Sequence, residues 1–331
     1  MKGNKVKKIR RNLITGGAGF IGSHLADELI RSQEAVTVID NLSTGSMDNV
    51  IHLKENKNFK LYIDTIMNER LMRRLIDRTD RVYHMAAAVG VKYIINNPLE
   101  SIETNVKGTE IVLELANKLG KKKVLVASTS EIYGKDRANH KVFKEDDDRV
   151  LGSTSISRWS YSCTKALDEF LALAYWRERK LPVVIVRLFN TCGPRQTGTY
   201  GMVIPRFVKQ ALLNQPMTIF GDGRQTRCFT YITDVVDALI RLMNHPKAVG
   251  EAFNIGNPIP TTIRELAKII KKKTNSRSKI VFIPYKRAYE EGFEDMRHRE
   301  SNIGKLNKLI GFRPKVDLNE TLDRIIEYFE K

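Results

Sequence analysis

Leu13-Ile14-Thr15-Gly16-Gly17-Ala18-Gly19-Phe20-Ile21-Gly22 is the stretch that decides the fold class. An apolar strand runs into it, and Ser23-His24-Leu25-Ala26-Asp27-Glu28-Leu29-Ile30 continues it with helical spacing. Glycines at 17, 19 and 22 have the Gly-x-Gly-x-x-Gly spacing of a dinucleotide site, and glycines at 16, 19 and 22 fit equally well. Glycine permits the tight turn and lets backbone N–H groups approach a pyrophosphate at the helix N-terminus. A glycine turn without a ligand has the same spacing, so the flanks carry the argument. Ala35 to Ile39 reads as a second strand ending in Asp40, placed to accept from the ribose hydroxyls of adenosine. Its negative charge repels a 2′-phosphate, which favours NAD over NADP.

Working outward, the pattern predicts strands at Arg11–Thr15, Ala35–Ile39, Lys60–Ile63, Arg81–His84, Lys123–Ala127 and Val183–Leu188. Helices are predicted at Ile21–Ser32, Asn68–Asp77, Ser101–Leu119 and Tyr161–Lys180. The alternation is that of an α/β, Rossmann-type, doubly wound parallel sheet. Its ligand crevice lies at the carboxyl ends of the strands, where Gly16 to Gly22, Asp40, Ala86, Ser128 and Asn190 fall. After Asn190 the chain turns to Gly- and Pro-rich segments (Gly193-Pro194, Gly221-Asp222-Gly223, Gly256-Asn257-Pro258). The expected organisation is a mainly NAD-binding part over 1–190. A smaller substrate-binding lobe is expected mainly over 191–331, some of whose segments return to the first part.

At 331 residues and 42% hydrophobic content the chain fits an ordinary soluble globular protein. No apolar run approaches the roughly 20 residues of a membrane helix, and residues Met1 to Arg11 lack the apolar stretch of a signal peptide. The cytoplasm is the expected compartment. Cys163, Cys192 and Cys228 show no pairing pattern, and six scattered histidines show no ligand spacing, so neither a disulfide framework nor a catalytic metal is expected. The formal charge of +18 is concentrated at Lys2, Lys5, Lys7 and Lys8, at Lys121 to Lys123 and at Lys271 to Lys273. Nucleic-acid binders carry such runs, but so do solvated faces and helix ends. No aromatic-rich motif accompanies these, so a nucleic-acid partner is not expected, although the field would attract an anionic nucleotide sugar.

The chemistry centres on Trp159-Ser160-Tyr161-Ser162-Cys163-Thr164-Lys165. Four residues apart on a helix, Tyr161 and Lys165 share a face. A free tyrosine has a pKa near 10, so about one in a thousand is phenolate at neutral pH. An adjacent ammonium favours the phenolate by about 1.4 kcal/mol per unit of lowering. The pair can then take a proton from a sugar hydroxyl as its carbon gives up hydride. Taken alone, Tyr-x-x-x-Lys also arises as a chance surface pair.

Together with the glycine loop, further segments carry a resemblance over nearly the whole chain. They are His84-Met85-Ala86-Ala87, Asn105-Val106-Lys107-Gly108-Thr109, Ser128-Thr129-Ser130-Glu131-Ile132-Tyr133-Gly134, Arg187 to Arg195, and Phe220 to Arg227. The chain resembles the extended short-chain dehydrogenase/reductases of the nucleotide-sugar epimerase, dehydratase and decarboxylase group, and most of all the UDP-glucuronate decarboxylases. The resemblance implies NAD held by Gly16, Gly19, Phe20, Ile21, Gly22, Asp40, Asn41, Ser43, Gly45, Asp64, Ala86, Ala87, Asn105, Tyr161 and Lys165. It implies a catalytic set of Thr129, Glu131, Tyr161, Lys165 and Arg299. Thr129 would hydrogen-bond the oxygen on the sugar C4, Tyr161 would deprotonate it, and Lys165 would lower the tyrosine pKa and bind the nicotinamide ribose. A nucleotide-diphosphate sugar, UDP-linked, would rest on Ser130, Asn190, Arg206, Arg227 and Arg299. A homodimer formed through a helix bundle is also implied. Thr129 could instead cap a turn at the strand end, and Glu131 could simply favour a helix start through the dipole.

Within that group, Glu131 bears on the reaction. By resemblance, 4-epimerases carry a small or neutral residue there, whereas 4,6-dehydratases and decarboxylases carry glutamate. Ser130 departs from the dTDP-glucose type of dehydratase, which has Asp, and matches GDP-mannose dehydratases and decarboxylases. Ser157 to Ser162 and Gly292-Phe293-Glu294-Asp295-Met296-Arg297-His298-Arg299 are similar to segments of the decarboxylase of the aminoarabinose lipid A pathway. There the final arginine acts at the substrate carboxylate, and Arg299 is its match; Arg227 matches an arginine on the substrate diphosphate. Phe293 replaces a tyrosine, and Glu300-Ser301 replaces Lys-Pro. The expectation is a UDP-glucuronate decarboxylase that oxidises the sugar at C4. A UDP-sugar 4-epimerase or a 4,6-dehydratase is the alternative within the group, and an NAD-binding regulatory protein the alternative outside it. An intact Thr129, Tyr161 and Lys165 set favours the enzyme.

Overall fold

A computed structural model describes residues 9–135, 142–198, 202–288 and 296–331, with backbone alone for Val91 and Lys92. Seven strands form one sheet: β1 (Arg11–Thr15), β2 (Ala35–Asp40), β3 (Phe59–Ile63), β4 (Arg81–His84), β5 (Lys123–Thr129), β6 (Val183–Leu188) and β7 (Glu251–Ile255). Their order is β7-β6-β5-β4-β1-β2-β3, every pair parallel. This is the doubly wound Rossmann-type sheet that the sequence predicts.

Both faces of the sheet are apolar because successive side chains point to opposite sides. Leu13, Val124, Val126, Val183 and Ile185 pack with Met72, Leu75, Val112, Leu115 and Ala172. Those come from α2 (Glu69–Asp77), α3 (Pro98–Lys118) and α4 (Arg158–Arg179). The alternate residues Ile14, Leu125, Val184 and Val186 pack with Leu25, Leu29, Val235 and Leu239 on the other face. Burying each such side chain contributes about 1.5–3 kcal/mol. The second face is covered by α1 (Phe20–Arg31) and by a helix from the later half, Ile232–Asn244.

β7 is absent from the six strands read in the sequence. It is short, follows Gly250 and carries Asn254 as its fourth residue, which breaks the apolar run. Asn254 is tolerated because its amide is bonded: Nδ2 donates to the Phe143 carbonyl at 3.0 Å, and Oδ1 accepts from the Tyr133 hydroxyl at 2.6 Å.

A second core lies within the later residues. Phe207, Val208, Ile219, Leu266, Ile270, Leu322 and Ile325 pack together. They come from helices Val203–Leu212, Ile263–Lys273 and Leu318–Glu330 and from strand Met217–Phe220. That strand pairs in parallel with Ile280–Ile283. The helix Ile263–Lys273 opens on a capping box in which Thr262 and Glu265 satisfy each other's backbone donors. Ile204 and Ile263 of this core line one cavity together with residues at the carboxyl ends of the sheet strands.

The strand order reverses between β1 and β4, and the crevice opens there. Gly16 lies at the end of β1 with φ +68°, and a Cβ on it would lie 2.8 Å from the Ala86 backbone after β4. A Cβ on Gly22 would come within 2.2 Å of the Gly16 carbonyl oxygen. Two backbones and a helix start meet at this point, and only glycine fits.

Candidate active site

One cavity of about 470 Å³ runs from the glycine loop to the lobe. Its floor at one end is the loop from Gly16 to Gly22 with Asp40, Asn41, Ser43 and Asp64 from the ends of β2 and β3, and Ala86 and Ala87 from the end of β4. Asp40 Oδ2 accepts from the Ala18 N–H at 2.9 Å, and Oδ1 accepts from the Leu42 N–H at 2.8 Å. Burial raises its pKa, while these backbone donors oppose the rise. Each oxygen keeps a lone pair for a hydroxyl donor. The Cβ-free cradle at Gly16 and Gly22 and the carboxylate at the tip of β2 fit the pyrophosphate and ribose of a dinucleotide.

Three predicted cofactor residues, Gly45, Asn105 and Lys165, do not line the cavity. Gly45 lies behind Asp40, where a Cβ would be 3.0 Å from Oδ1. Asn105 is buried in α3, and its Oδ1 accepts from the Ala88 N–H at 2.8 Å. It therefore holds the loop after β4 in place from behind.

At the other end, β5 delivers Thr129, and a single 3-10 turn over Ser130–Tyr133 delivers Ser130 and Glu131. Thr129 does cap this turn, its hydroxyl accepting from the Glu131 N–H at 3.2 Å. The same hydroxyl pulls the Tyr161 pKa down, so it serves both local structure and site. The Ser162 hydroxyl donates to the Glu131 carbonyl at 2.7 Å and pins α4 against the turn.

Arg299 meets Glu131 here. One guanidinium nitrogen donates to Glu131 Oε1 at 3.0 Å and another to Asn190 Oδ1 at 2.8 Å. Asn190 reaches inward with an unusual φ of +31°. Burial alone would raise the Glu131 pKa, but Arg158, Arg299 and Arg227 overcome it and hold the carboxyl below its ordinary value. Glu131 is therefore ionised at neutral pH. Arg227 and Arg206 line the same cavity; Arg227 donates to the Thr226 carbonyl at 2.7 Å, and Arg206 lies 4.3 Å from the Phe220 ring centroid. Of the segment Gly292 to Arg299, residues Gly292 to Asp295 lie outside the described residues.

Tyr161 and Lys165 share a face of α4 as expected, but their partners differ from the expected ones. Lys165 is 2% exposed and does not line the cavity. Its Nζ donates to Asp168 Oδ2 at 2.7 Å. Burial pushes the Tyr161 pKa up, Glu131 and Asp168 push it further, and the Thr129 hydroxyl and Arg299 pull it down. The net direction is upward, opposite to the lowering expected from Lys165, and burial is its largest cause.

The family whose model is described as GDP-mannose 4,6 dehydratase matches residues 13–325. The chain belongs to it. A UDP-N-acetyl-alpha-D-glucosaminuronate decarboxylase of Bacillus cytotoxicus is 44% identical over 97% of this chain and 98% of that protein. UDP-glucuronic acid decarboxylase 1 of Danio rerio is 37% identical over 98% of this chain and 74% of that protein. Among solved structures, the UDP-glucuronic acid 4-epimerase of Bacillus cereus, in complex with UDP-glucuronic acid and NAD, is 29% identical with a TM-score of 0.87, covering 97% of this chain and 99% of that one. The protein is an NAD-dependent nucleotide-sugar enzyme of the extended short-chain dehydrogenase/reductase type.

For a member of this family, the sequence left some contributors unassigned. Arg158 stands in a quoted motif, yet nothing in its spacing shows that it faces Glu131. Arg195, Gln196, Gln225 and Tyr285 also line the cavity. Asp168 follows Lys165 by three residues, a spacing that would have found it once the helix was drawn as a wheel.

Proposed function

We propose that this enzyme is a UDP-glucuronate decarboxylase. The observation that carries the reading is the Glu131–Arg299 pair at 3.0 Å, beside Tyr161 and within reach of two further arginines. A site that only moved hydride at C4 would need no guanidinium at the far side of the sugar. The names of the decarboxylase relatives support the same reading.

In this mechanism Thr129 and Tyr161 engage the hydroxyl on the sugar C4, and Tyr161 removes its proton. NAD held by the glycine loop and Asp40 would supply the redox chemistry at C4. The C4 ketone makes the substrate a β-keto acid. The C5–C6 bond then breaks, CO2 leaves, and its electron pair passes to the C4 oxygen as an enolate. Arg299 orients the carboxylate before cleavage, and ionised Glu131 holds Arg299 in position. Asp40 takes the adenosine ribose hydroxyls. Arg227 and Arg206 take the diphosphate, since a planar guanidinium pairs oxyanions bidentately. The lobe over 191–331 thus serves mainly the substrate, and 1–190 mainly the cofactor.

We further assign a homodimer, supported by exposed Leu99 and Ile102 on α3 and Leu167 and Phe170 on α4, two helices that pack on each other. Free thiols at Cys163, Cys192 and Cys228 suit the reducing cytoplasm. No helix among the described residues is long and apolar enough to cross a membrane.

Incubation with UDP-glucuronate, with UDP-N-acetylglucosaminuronate alongside, tests the reading by mass spectrometry. Loss of CO2 is expected. Conversion at unchanged mass would replace the decarboxylase with the 4-epimerase, the activity named for the Bacillus cereus structure. Loss of water would indicate a dehydratase.

A further inference from the structure

The ligand crevice opens at the carboxyl ends of the strands, so the opposite edge of the sheet is where every strand begins. Because all seven strands run parallel, the connections that enter them gather on that edge. Basic residues far apart in sequence come together there. Arg10 enters β1 at Arg11, and Lys121 and Lys122 enter β5 at Lys123. β4 lies between them, its Arg81 in register with Asn12 on one side and Lys123 on the other. Beyond β5, Lys180 enters β6 and Lys247 precedes β7. At about 4.8 Å per strand, five neighbouring strands make a basic edge about 20 Å across.

Part of this charge serves the fold. Lys122 Nζ donates to the Asp77 carbonyl at 3.3 Å and Lys180 Nζ to the Arg177 carbonyl at 3.0 Å, as cations at helix C-termini do. Asp80 pairs with Arg11 at 2.8 Å, and Glu34 pairs with Arg10 at 3.6 Å and with Arg81. The remainder has no such account. The exposed side chains of Arg78, Lys121 and Lys247 make no hydrogen bond or ion pair among the described residues. Lys121, at φ +52°, and Lys180, at φ +58°, take the left-handed backbone that favours glycine. A lysine there gives up the relaxed choice and places a charge at the surface. Ile9, next to Arg10 in the chain, is 53% exposed.

We propose that this edge is a docking surface for an anionic membrane, met with the crevice facing away from the lipid. Each cation gains when it comes within about a Debye length of anionic headgroups, ~10 Å at 0.1 M salt. A broad edge brings several that close at once, and an exposed apolar residue among them adds contact at headgroup level. Nucleic acid fits less well. Single strands are held by aromatic rings on which bases stack, and a duplex by an element that enters a groove. The connections here are short, and residues 9–10, 78–80, 119–122, 180–182 and 245–250 include no Phe, Tyr or Trp. The proposal is independent of which sugar reaction the crevice performs.

Co-sedimentation of the purified protein with vesicles tests it, at about 0.1 M salt. The vesicles are phosphatidylcholine alone, or phosphatidylcholine with an equal part of phosphatidylglycerol. The protein should bind the mixed vesicles and not the neutral ones, and should be released at about 1 M salt, where the Debye length is near 3 Å. Lys121→Glu with Lys247→Glu should weaken binding at least tenfold, at a factor of about five for each charge removed. Lys271→Glu with Lys272→Glu, on the lobe helix Ile263–Lys273, makes the same change in net charge and should stay within about twofold of the parent. Calorimetric NAD affinity equal to the parent's shows that each variant has folded. Lys121→Gln with Lys247→Gln, expected to give a smaller loss, serves if the glutamate pair does not fold. No binding to the mixed vesicles would overturn the proposal. Equal losses in the two glutamate pairs would overturn it as well, since attraction by net charge needs no particular face. Tighter binding to a DNA duplex than to the mixed vesicles, lost in the Lys121 and Lys247 variant, would make this edge a nucleic-acid surface instead.

Discussion

Tyr161, Lys165 and Asp168 follow one another at spacings of four and three, so a single face of α4 carries the phenol, the ammonium and the carboxylate. The last two are almost fully enclosed, at 2% and 1% exposed. An isolated buried lysine loses its proton, because desolvation disfavours the charged form. Asp168 pairs with the Lys165 ammonium at 2.7 Å inside the protein, and its negative charge raises the tyrosine pKa. The prediction is that Asp168→Asn, which leaves the ammonium without a counterion, lowers stability by about 3–5 kcal/mol, whereas Asp168→Glu loses less. Thermal and urea unfolding of the three proteins would measure this. An asparagine variant within about 0.5 kcal/mol of the parent, the range of ordinary surface substitutions, would mean that Lys165 is not held by Asp168.

At the scale of elements, the glycine loop and β4 each allow a test. Gly22→Ala places a methyl 2.2 Å from a backbone oxygen that cannot swing away. The start of α1 must shift, so NAD affinity should fall by at least tenfold in a fluorescence or calorimetric titration, the equivalent of about 1.4 kcal/mol. Normal affinity would show that the loop opens more freely than its packing indicates. On β4, His84 is enclosed between the Thr15 hydroxyl at 2.8 Å and the Thr109 hydroxyl at 3.1 Å. Burial first, and then Lys165, lower its pKa to about 3 from an ordinary 6.5. Above the ordinary value both states are neutral and the burial is fully tolerated. As pH falls through 6.5 toward 3, the unfolded chain takes up a proton that the folded chain refuses. Stability therefore drops, by up to about 1.4 kcal/mol per pH unit. His84→Gln should flatten the pH dependence most clearly between about pH 5 and 6.5, above the range where carboxylates titrate. Equal slopes for the two proteins in that window would be inconsistent with a neutral buried imidazole. Strands β1 to β6 and the crevice were legible because parallel strands buried on both faces read as apolar runs, and because glycine spacing encodes a turn. β7 was not, since Asn254 interrupts its run and its partners lie more than a hundred residues away. The approach of Arg158 to Glu131 was hidden for a related reason. Spacing reveals which side chains share a face, but not what packs across from it.

For the whole molecule, the residue pattern of α3 and α4 poses a problem that one chain does not solve. Leu167, Phe170 and Ala174 recur at helical spacing and read as a core stripe, yet Leu167 is 49% and Phe170 58% exposed. Leu99 and Ile102 form a matching start of a stripe on α3, with Leu99 69% exposed. Scattered apolar residues on a surface need no explanation, but exposed apolar residues at helical spacing on two helices that pack on each other point to an association face. A second copy related by a two-fold axis would bring the same two helices against themselves and form a four-helix bundle of like faces. Stable interfaces of this kind bury about 1,200–2,000 Å² in total, which two helix faces from each copy can supply. The protein should therefore run as a dimer in light scattering at micromolar concentration. Phe170→Glu combined with Leu167→Lys should produce a monomer while the glycine loop, on a separate part of the fold, still binds NAD. The Arg149 guanidinium, 4.6 Å from the Phe170 ring centroid, would also lose its aromatic partner in the variant, a small effect on an exposed pair of about 0.5–1 kcal/mol. A wild-type protein that remains a monomer at tens of micromolar would remove the assignment, and the two stripes would then need another occupant.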